Sequence, residues 1–353
     1  VSGRLPIDLA VIAAPAADVQ GNLSGALGPN ACGPLGYAMV DAAHAAQVIA
    51  VTDHVADMLP RICIPAEQVD HVITVDRIGD AGLIASGTTG RAPSKSGRRI
   101  ADLTAELVAA SGLLTDGFTF QTGAGATSLA VAQALAPIMA QRGVTGAFAA
   151  GGITIPLVRM KEAGLFRGLW DVQAFDLGAV RSYAADPDHW AMSADTYASP
   201  DRPDRISAQL DVMILGAAEI DRAFNVNVTR ASDGRIIGGS GGHADTGTDA
   251  RLPIVTTPLV AGGWAKLVER LTCRTTPGNR IAALVTEAGI AFPDHGAALA
   301  DRARHAGLPA VSFDALRARA EALAPHTRPG PATGRVVAIC EDRHGTEIDV
   351  IRK

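Results

Sequence analysis

The sequence predicts an α/β protein with mainly parallel sheets, and three observations carry that expectation. Short apolar runs with strand character alternate along the chain with stretches of helical composition. The chain is 48% hydrophobic but only 4% aromatic, so Ala, Val, Leu and Ile must fill the core. Such composition suits buried parallel strands covered by helices. At 353 residues the chain is long enough for two domains with substantial cores.

The elements follow in order. Strands are expected at 7–15 (IDLAVIAAP), 47–53 (QVIAVTD) and 71–76 (HVITVD), each an apolar run rich in β-branched residues. Between the first two, 35–46 (LGYAMVDAAHAA) has helical composition. Residues 85–97 form a polar loop rich in Gly, Ser and Pro. A helix at 99–111 leads to a junction near Gly112–Gly117, dividing the chain into domains 1–115 and 116–353. The second half restarts with the strand GFTFQTG and a long helix at 127–142, interrupted by Pro137. Then come FAAGG (148–152), a helix near 155–163, and strands at 210–215, 252–257 and 282–286. Residues 186–208, rich in Asp, Pro and Ser, read as a long surface loop, and 336–351 as a hairpin turning at His344-Gly345.

Several function classes are disfavoured by composition. A net charge of −5, a pI near 6.0 and only four lysines (95, 161, 266, 353) argue against nucleic-acid binding. Cysteines 32, 63, 273 and 340 are far apart with no C-x-x-C pair, which fits reduced thiols in a cytosolic protein. No H-E-x-x-H or comparable cluster suggests a metal. No apolar run reaches the roughly 18–20 residues that cross a bilayer.

Chemistry is concentrated in three glycine clusters. Thr122-Gly123-Ala124-Gly125 follows a strand and opens a helix, where free N–H groups favour anions. The G-x-G-x-x-G pattern fails because Ser occupies position 128, and a packing turn remains an equal reading. Gly151-Gly152 ends the FAAGG run. Gly238-Gly239-Ser240-Gly241-Gly242 closes a strand pair whose hairpin turns at Ser232-Asp233-Gly234; consecutive amides there can form an anion nest. The alternative is a Gly-rich hairpin without chemistry. Asn225 and Asn227 alternate to one face of a short strand, where they bind a ligand or satisfy a sheet edge.

The stretch LDVMILGAAEIDRAFNVNVTRASDGRIIGGSGGHADT (210–246) resembles the alpha subunit of citrate lyase, within the wider CoA-transferase group. The resemblance is co-linear along the chain. It takes in GNLSGALGPNACGPLGYAMVDA (21–42), FQTGAGATSLAV (120–131), AAGGITIPLV (149–158), DVQAFD (171–176), TPGNRIAALVTEAGIAF (276–292) and GTEIDVIR (345–352). It implies two related CoA-transferase-like α/β domains, the first incomplete. The first residue is Val1, and the strand at 7–15 comes well into the family's first domain, so a substantial N-terminal portion is expected to be missing.

The implied reaction moves an acyl carrier from an acetyl thioester to citrate, giving citryl thioester and acetate. The resemblance further implies a CoA-like phosphoribosyl-dephospho-CoA group on a partner acyl-carrier (gamma) subunit, and a beta subunit that cleaves the citryl thioester. No cofactor is expected on this chain, and its location is expected to be cytoplasmic. Covalent CoA-transferases place a nucleophilic glutamate where Gly151 aligns, and no carboxylate lies between Gly146 and Arg159. Citrate's own carboxylate would then attack the thioester, giving a mixed anhydride without an enzyme glutamate. Gly151, Gly152, Gly241 and Gly242 are thus the expected catalytic positions, the last two as oxyanion donors; losing such a donor costs about 3–4 kcal/mol. Gly123, Gly125, Asn225, Asn227, His243, Asp195 and Arg181 are expected to bind substrate or thioester. For His243 the reading as a structural histidine outweighs the binding one, and Asp195 departs from the Asn the family tends to carry. Glu219 and Asp221 match the group's E-x-D and are expected to hold turns. A free CoA-ester transferase or hydrolase, a citramalate enzyme and a non-catalytic assembly subunit stay open as alternatives.

Overall fold

The computed structural model describes residues 5–84, 92–271, 273–327 and 333–353. The fold is α/β with mainly parallel strands. It groups into two compact units, each discontinuous in sequence: residues 1–91 with 145–206, and residues 92–144 with 207–353. This grouping cuts the chain differently from a division at 115/116. The helix α2 (Lys95–Ala110) packs on α3 (Ala126–Arg142) and so joins the second unit, although it was expected in the first domain.

In the first unit, Leu9–Ala13, Gln47–Thr52 and His71–Thr74 form a parallel sheet, with Leu9 opposite Gln47 and Ile49 opposite His71. The helix α1 (Gly36–His44) joins the first two strands. Alternation along the first strand buries Ala10 and Ile12 in a cluster with Ala42, Val48, Ala50 and Tyr183. Its other face is open: Leu9 is 48% exposed, Val11 62% and Ile73 48%.

A second parallel set in this unit comprises Gly146–Ile153, Phe166–Ala174 and His189–Ala191. The helices α4 (Ile155–Glu162) and α5 (Leu177–Ala185) make the crossovers. Asp176 serves both helices. Its Oδ1 accepts from Ala179 N (2.8 Å) at the start of α5, and its Oδ2 accepts from Ile155 N (2.7 Å) at the start of α4. Residues 186–208, expected as a surface loop, instead hold the third strand, the helix α6 (Ala194–Ala198) and a 3₁₀ turn at Ile206–Gln209. His189 and Tyr197 anchor the segment in the interior, and two buried side chains outweigh its polar composition.

The second unit has parallel strands Thr119–Thr122, Val212–Gly216, Leu252–Thr256 and Ala283–Thr286, edged by antiparallel Gly289–Ala291. Val212 pairs with both Phe120 and Leu252. The helix α3 runs unbroken through Pro137, contrary to expectation. Pro137 lies on the exposed face, and so does Gln133, whose carbonyl lacks the N–H that any other residue at 137 would donate. A smaller sheet pairs Glu219–Asp221 with Val226–Asn227 and Leu267–Val268. Three further helices complete the unit: α7 (His243–Asp249), α8 (Ala297–His305) and α9 (Phe313–Leu323).

The chain ends in the hairpin Val336–Glu341 with Glu347–Arg352, and Gly345 turns at φ +80°. Folding brings two of the sequence-distant cysteines together as free thiols, with Cys273 Sγ 3.5 Å from Cys340 Sγ. Of the expected 85–97 loop, 85–91 lie outside the described residues, and Lys95 already begins α2. Among the described residues no helix is long and apolar enough to cross a membrane.

Candidate functional site

Several candidates gather at the carboxyl ends of strands in the second unit. That is where parallel α/β sheets present ligand-binding loops. Thr119–Thr122 runs into Gly123, whose N–H donates to Ile214 O (3.0 Å) on the neighbouring strand. Gly125 then starts α3 at φ −72°, ψ 150° with no side-chain cap and no acidic residue in the first turn. The amides at the head of this 17-residue helix are therefore left for an anion or solvent.

The next strand ends at Gly216, whose carbonyl oxygen accepts from His243 Nε2 (2.8 Å). The other ring nitrogen, Nδ1, is 2.7 Å from Thr276 Oγ1. With Nε2 donating to a carbonyl, Nδ1 accepts from the threonine hydroxyl, so the ring is neutral and fully engaged. Desolvation by its surroundings holds the His243 pKa down at about 4. This geometry makes His243 the peg that fixes α7 to the end of the Val212–Gly216 strand.

Between that strand and α7 lies the glycine loop. Gly238 and Gly241 have φ of +159° and +53°, and Gly239 lies outside the left-handed range. Added Cβ atoms at Gly125, Gly216, Gly238, Gly239 and Gly241 would meet no protein atom within 4 Å. For Gly125, Gly216 and Gly239, neither packing nor backbone conformation demands glycine. A glycine at such a place leaves room for a ligand to approach the backbone closely.

The two asparagines behave otherwise. Asn227 is completely buried. Its Nδ2 donates to Glu219 Oε2 (3.1 Å) and Arg230 O (2.7 Å), and its Oδ1 accepts from Thr229 N and Arg230 N. Asn225 Nδ2 donates to Asp221 Oδ2 (3.1 Å) and its Oδ1 accepts from Gly278 N (3.0 Å). Asn227 is thus saturated by the fold and Asn225 is committed to a turn, so both act as turn-formers here. Asp221 also accepts from Ala223 N and Asn225 N, the turn-holding role expected of it, and burial raises its pKa.

In the first unit, Gly151 has φ +102° and sits at a register shift: Gly151 pairs with Asp171, but Gly152 pairs with Gln173. Val172 is therefore the extra residue of a β-bulge. The bulge frees ladder amides, and Asp171 Oδ1 accepts from two of them, Gln173 N (2.9 Å) and Ile153 N (3.3 Å). Its Oδ2 lies 3.2 Å from His189 Nε2, and His189 Nδ1 lies 3.0 Å from Ser182 Oγ. Asp171 and His189 are both 0% exposed, and burial raises the Asp171 pKa against the opposing pull of His189.

Asp171, on the neighbouring strand, places a carboxylate beside Gly151 although 146–159 itself carries none. It is sealed from solvent and occupied in mending the bulge. Gly152 has an internal reason: a Cβ there would lie 1.9 Å from the Phe175 ring. Asp195, in the first turn of α6, is ion-paired to Arg202 (3.1 Å), and Arg181 lies exposed on α5. Sequence reasoning missed Gly216 as a candidate, Thr276 as the partner of His243, and Asp171 as the buried support beneath Gly151. Gly216, directly after an apolar strand, was the one with a local signal.

The family model for the citrate lyase alpha subunit matches residues 1–353. The chain belongs to the citrate lyase alpha subunit family. The citrate lyase alpha chain of Escherichia coli K12 is 42% identical over all of this chain and 69% of its own length. The alpha subunit of citrate lyase from Streptococcus mutans, solved in complex with citrate, superposes with a TM-score of 0.94 at 37% identity. That match covers 99% of this chain and 69% of the other. A 4-hydroxybutyrate CoA-transferase from Porphyromonas gingivalis shares the fold, with a TM-score of 0.59 at 20% identity, over 91% of this chain and 75% of its own. The chain thus spans about 70% of the length of its citrate lyase relatives and has the CoA-transferase fold.

Proposed function

We propose that this chain catalyses acyl exchange between an acetyl thioester and citrate, yielding citryl thioester and acetate, without an enzyme carboxylate as acyl acceptor. The observation that carries the reading is a set of glycines for which the fold itself has no need: Gly125 at the head of α3, Gly216 at a strand end and Gly239 in the loop before α7. Citrate in the Streptococcus mutans relative supports the substrate class.

The reaction proceeds in two displacements. A citrate carboxylate oxygen attacks the acetyl carbonyl carbon, the C–S bond breaks, and the thiolate leaves with its electron pair. The product is an acetyl–citryl mixed anhydride. The thiolate then attacks the citryl carbonyl, and acetate departs. Each step builds negative charge on a carbonyl oxygen, which the amides of Gly241 and Gly242 stabilise. The uncapped head of α3, past Gly123 and Gly125, suits anionic carboxylate or thioester groups. Holding both partners together recovers roughly 7–11 kcal/mol of the barrier without covalent catalysis. At Gly151, glycine stands where covalent relatives carry glutamate, and the neighbouring Asp171 is unavailable because it is fully buried.

The carrier is proposed to be a thiol arm of the phosphoribosyl-dephospho-CoA type on a gamma subunit, with a beta subunit consuming the citryl thioester; no cofactor resides on this chain. The test is direct: supply acetyl-CoA and citrate to the chain, alone and joined to the part of its relatives' length that it does not span, and follow acetate and citryl-CoA. Citrate-dependent formation of both is expected. Acetate release that ignores citrate, with no citryl-CoA, would make the protein a thioester hydrolase.

A further inference from the structure

The second unit contains a cavity of about 440 Å³ away from the strand ends that hold the glycine loops. Leu252 and Ala282 line it, so it sits at the amino ends of the Leu252–Thr256 and Ala283–Thr286 strands. Gly216 and His243 lie at the other end of the sheet, roughly 13 Å away along a five-residue strand. Its polar lining is one-sided in charge: Arg251, Arg280 and Arg302, with His295, Asn279 and Ser111, and no Asp or Glu.

Arg280 and Arg302 are solvent-exposed and keep donors to spare. Arg280 donates from Nε to Thr248 O (3.2 Å), which leaves the outer edge of its guanidinium. Arg302 rides on α8 and lies so close to Gly112 that a Cβ there would fall 2.5 Å from Nη1. Gly112, at φ +83°, thus leaves the guanidinium its space. Arg251 is shared with Asp211 (2.6 Å). His295 donates from Nε2 to Ile281 O (3.0 Å), leaving Nδ1 uncommitted in that bond.

A second, independent observation points the same way. The nine-residue helix α8 begins at the cavity wall, where Ala298 and Leu299 line it, and its N-cap Gly296 offers no side-chain bond. Its first amides and the positive end of its dipole therefore add to the arginines. Planar guanidinium forks match the paired oxygens of carboxylate and phosphate. The volume falls in the range of small-molecule sites, about 300–1,000 Å³.

We infer that this cavity is a binding site for a compact polyanion, a di- or tricarboxylate or a phosphate compound, separate from the site of acyl transfer. Citrate and inorganic pyrophosphate are the probes for the two sources. Each is titrated calorimetrically into the protein and into Arg280→Gln/Arg302→Gln. The wild type is expected to bind at least one of them, more weakly as salt rises. The double variant should raise that Kd about tenfold or more, as loss of charge-assisted bonds does. In the citrate arm, where the transfer site also binds, one site is lost and one kept. Arg280→Lys/Arg302→Lys, which keeps the charge but loses the planar forks, should give a Kd between those of the wild type and the Gln variant. Loss of one citrate site in the Gln variant, with no pyrophosphate binding, identifies a polycarboxylate site, and pyrophosphate binding weakened by the variant, with citrate binding unchanged, identifies a phosphate site. If neither anion shows a site that the Gln variant weakens, the inference is overturned. Acyl transfer is assayed separately, with acetyl-CoA and citrate.

Discussion

At the scale of single residues, the useful distinction is between glycines the fold needs and glycines it does not. Gly152 must be glycine because of Phe175, and Gly241 and Gly151 because of their positive φ. Gly216 has neither constraint, so it gives the cleaner test. Gly216→Val should fold with stability within about 0.5 kcal/mol of wild type, as unobstructed surface changes do. Its acyl transfer should nevertheless fall by about 100-fold, the scale of an impaired oxyanion site. Thermal unfolding and turnover measured on one preparation check both halves; unimpaired turnover would return the strand end to a structural role. Gly241→Val is a poorer probe, since a β-branched residue at φ +53° is strained whatever the ligand does.

Asp171 supplies the opposite case, a buried acid with a purely internal task. Asp171→Ala strands two amides and His189, and should cost about 3–5 kcal/mol, the usual loss on breaking a buried pair. Asp171→Asn, whose Oδ1 can still accept from the amides, should cost clearly less. Equal losses in chemical denaturation would contradict the bulge-mending role.

At the scale of elements, the link between α7 and the Val212–Gly216 strand depends on a neutral histidine. His243 has its pKa at about 4 in the fold and near the ordinary value of about 6.5 when unfolded, so the unfolded chain binds the extra proton first. The stability contributed by the neutral ring is therefore complete above about pH 6.5 and is lost as pH falls towards 4. The protection factors of the α7 amides, each taken relative to the intrinsic exchange rate at that pH, should fall across that window, and His243→Gln should remove the dependence. Protection factors constant from pH 7 to about 4.5 would dissociate the histidine from the anchoring of α7.

Most strands and helices were legible because each carries its own signal. Apolar β-branched runs gave Leu9–Ala13, Gln47–Thr52 and Val212–Gly216 to within a few residues. The His189–Ala191 strand was not legible. Its burial comes from Asp171, 18 residues upstream, and nothing in its Asp- and Pro-rich surroundings announces that partner. Pro137 misled in the other direction, because a proline on an exposed helical face costs a single hydrogen bond and leaves the helix intact. Of the site, the glycine clusters could be read from sequence. The commitments of Asn225, Asn227 and Asp195 could not, since their partners are set by turns and pairings that only the fold defines.

At the scale of the molecule, the first unit leaves an apolar sheet face open, with Leu9, Val11 and Ile73 each about half exposed. Contiguous apolar surface of this kind marks a place meant to be covered. The isolated chain should therefore enhance the fluorescence of an apolar dye such as ANS. Val11→Thr/Ile73→Thr should reduce that signal with little change in unfolding temperature. An absence of dye binding by the wild type would mean that the face is shielded in solution.

The central claim, that citrate itself accepts the acetyl group, is tested most directly by tracing oxygen in a single turnover. Enzyme in excess over acetyl-CoA is mixed with citrate labelled with ¹⁸O in its carboxylates, and the acetate formed is analysed by mass. Direct attack predicts one citrate-derived ¹⁸O in acetate, because the bridging oxygen of the anhydride leaves with it. Unlabelled acetate together with a stoichiometric acyl or CoA adduct on a Glu or Asp of the protein would contradict the account.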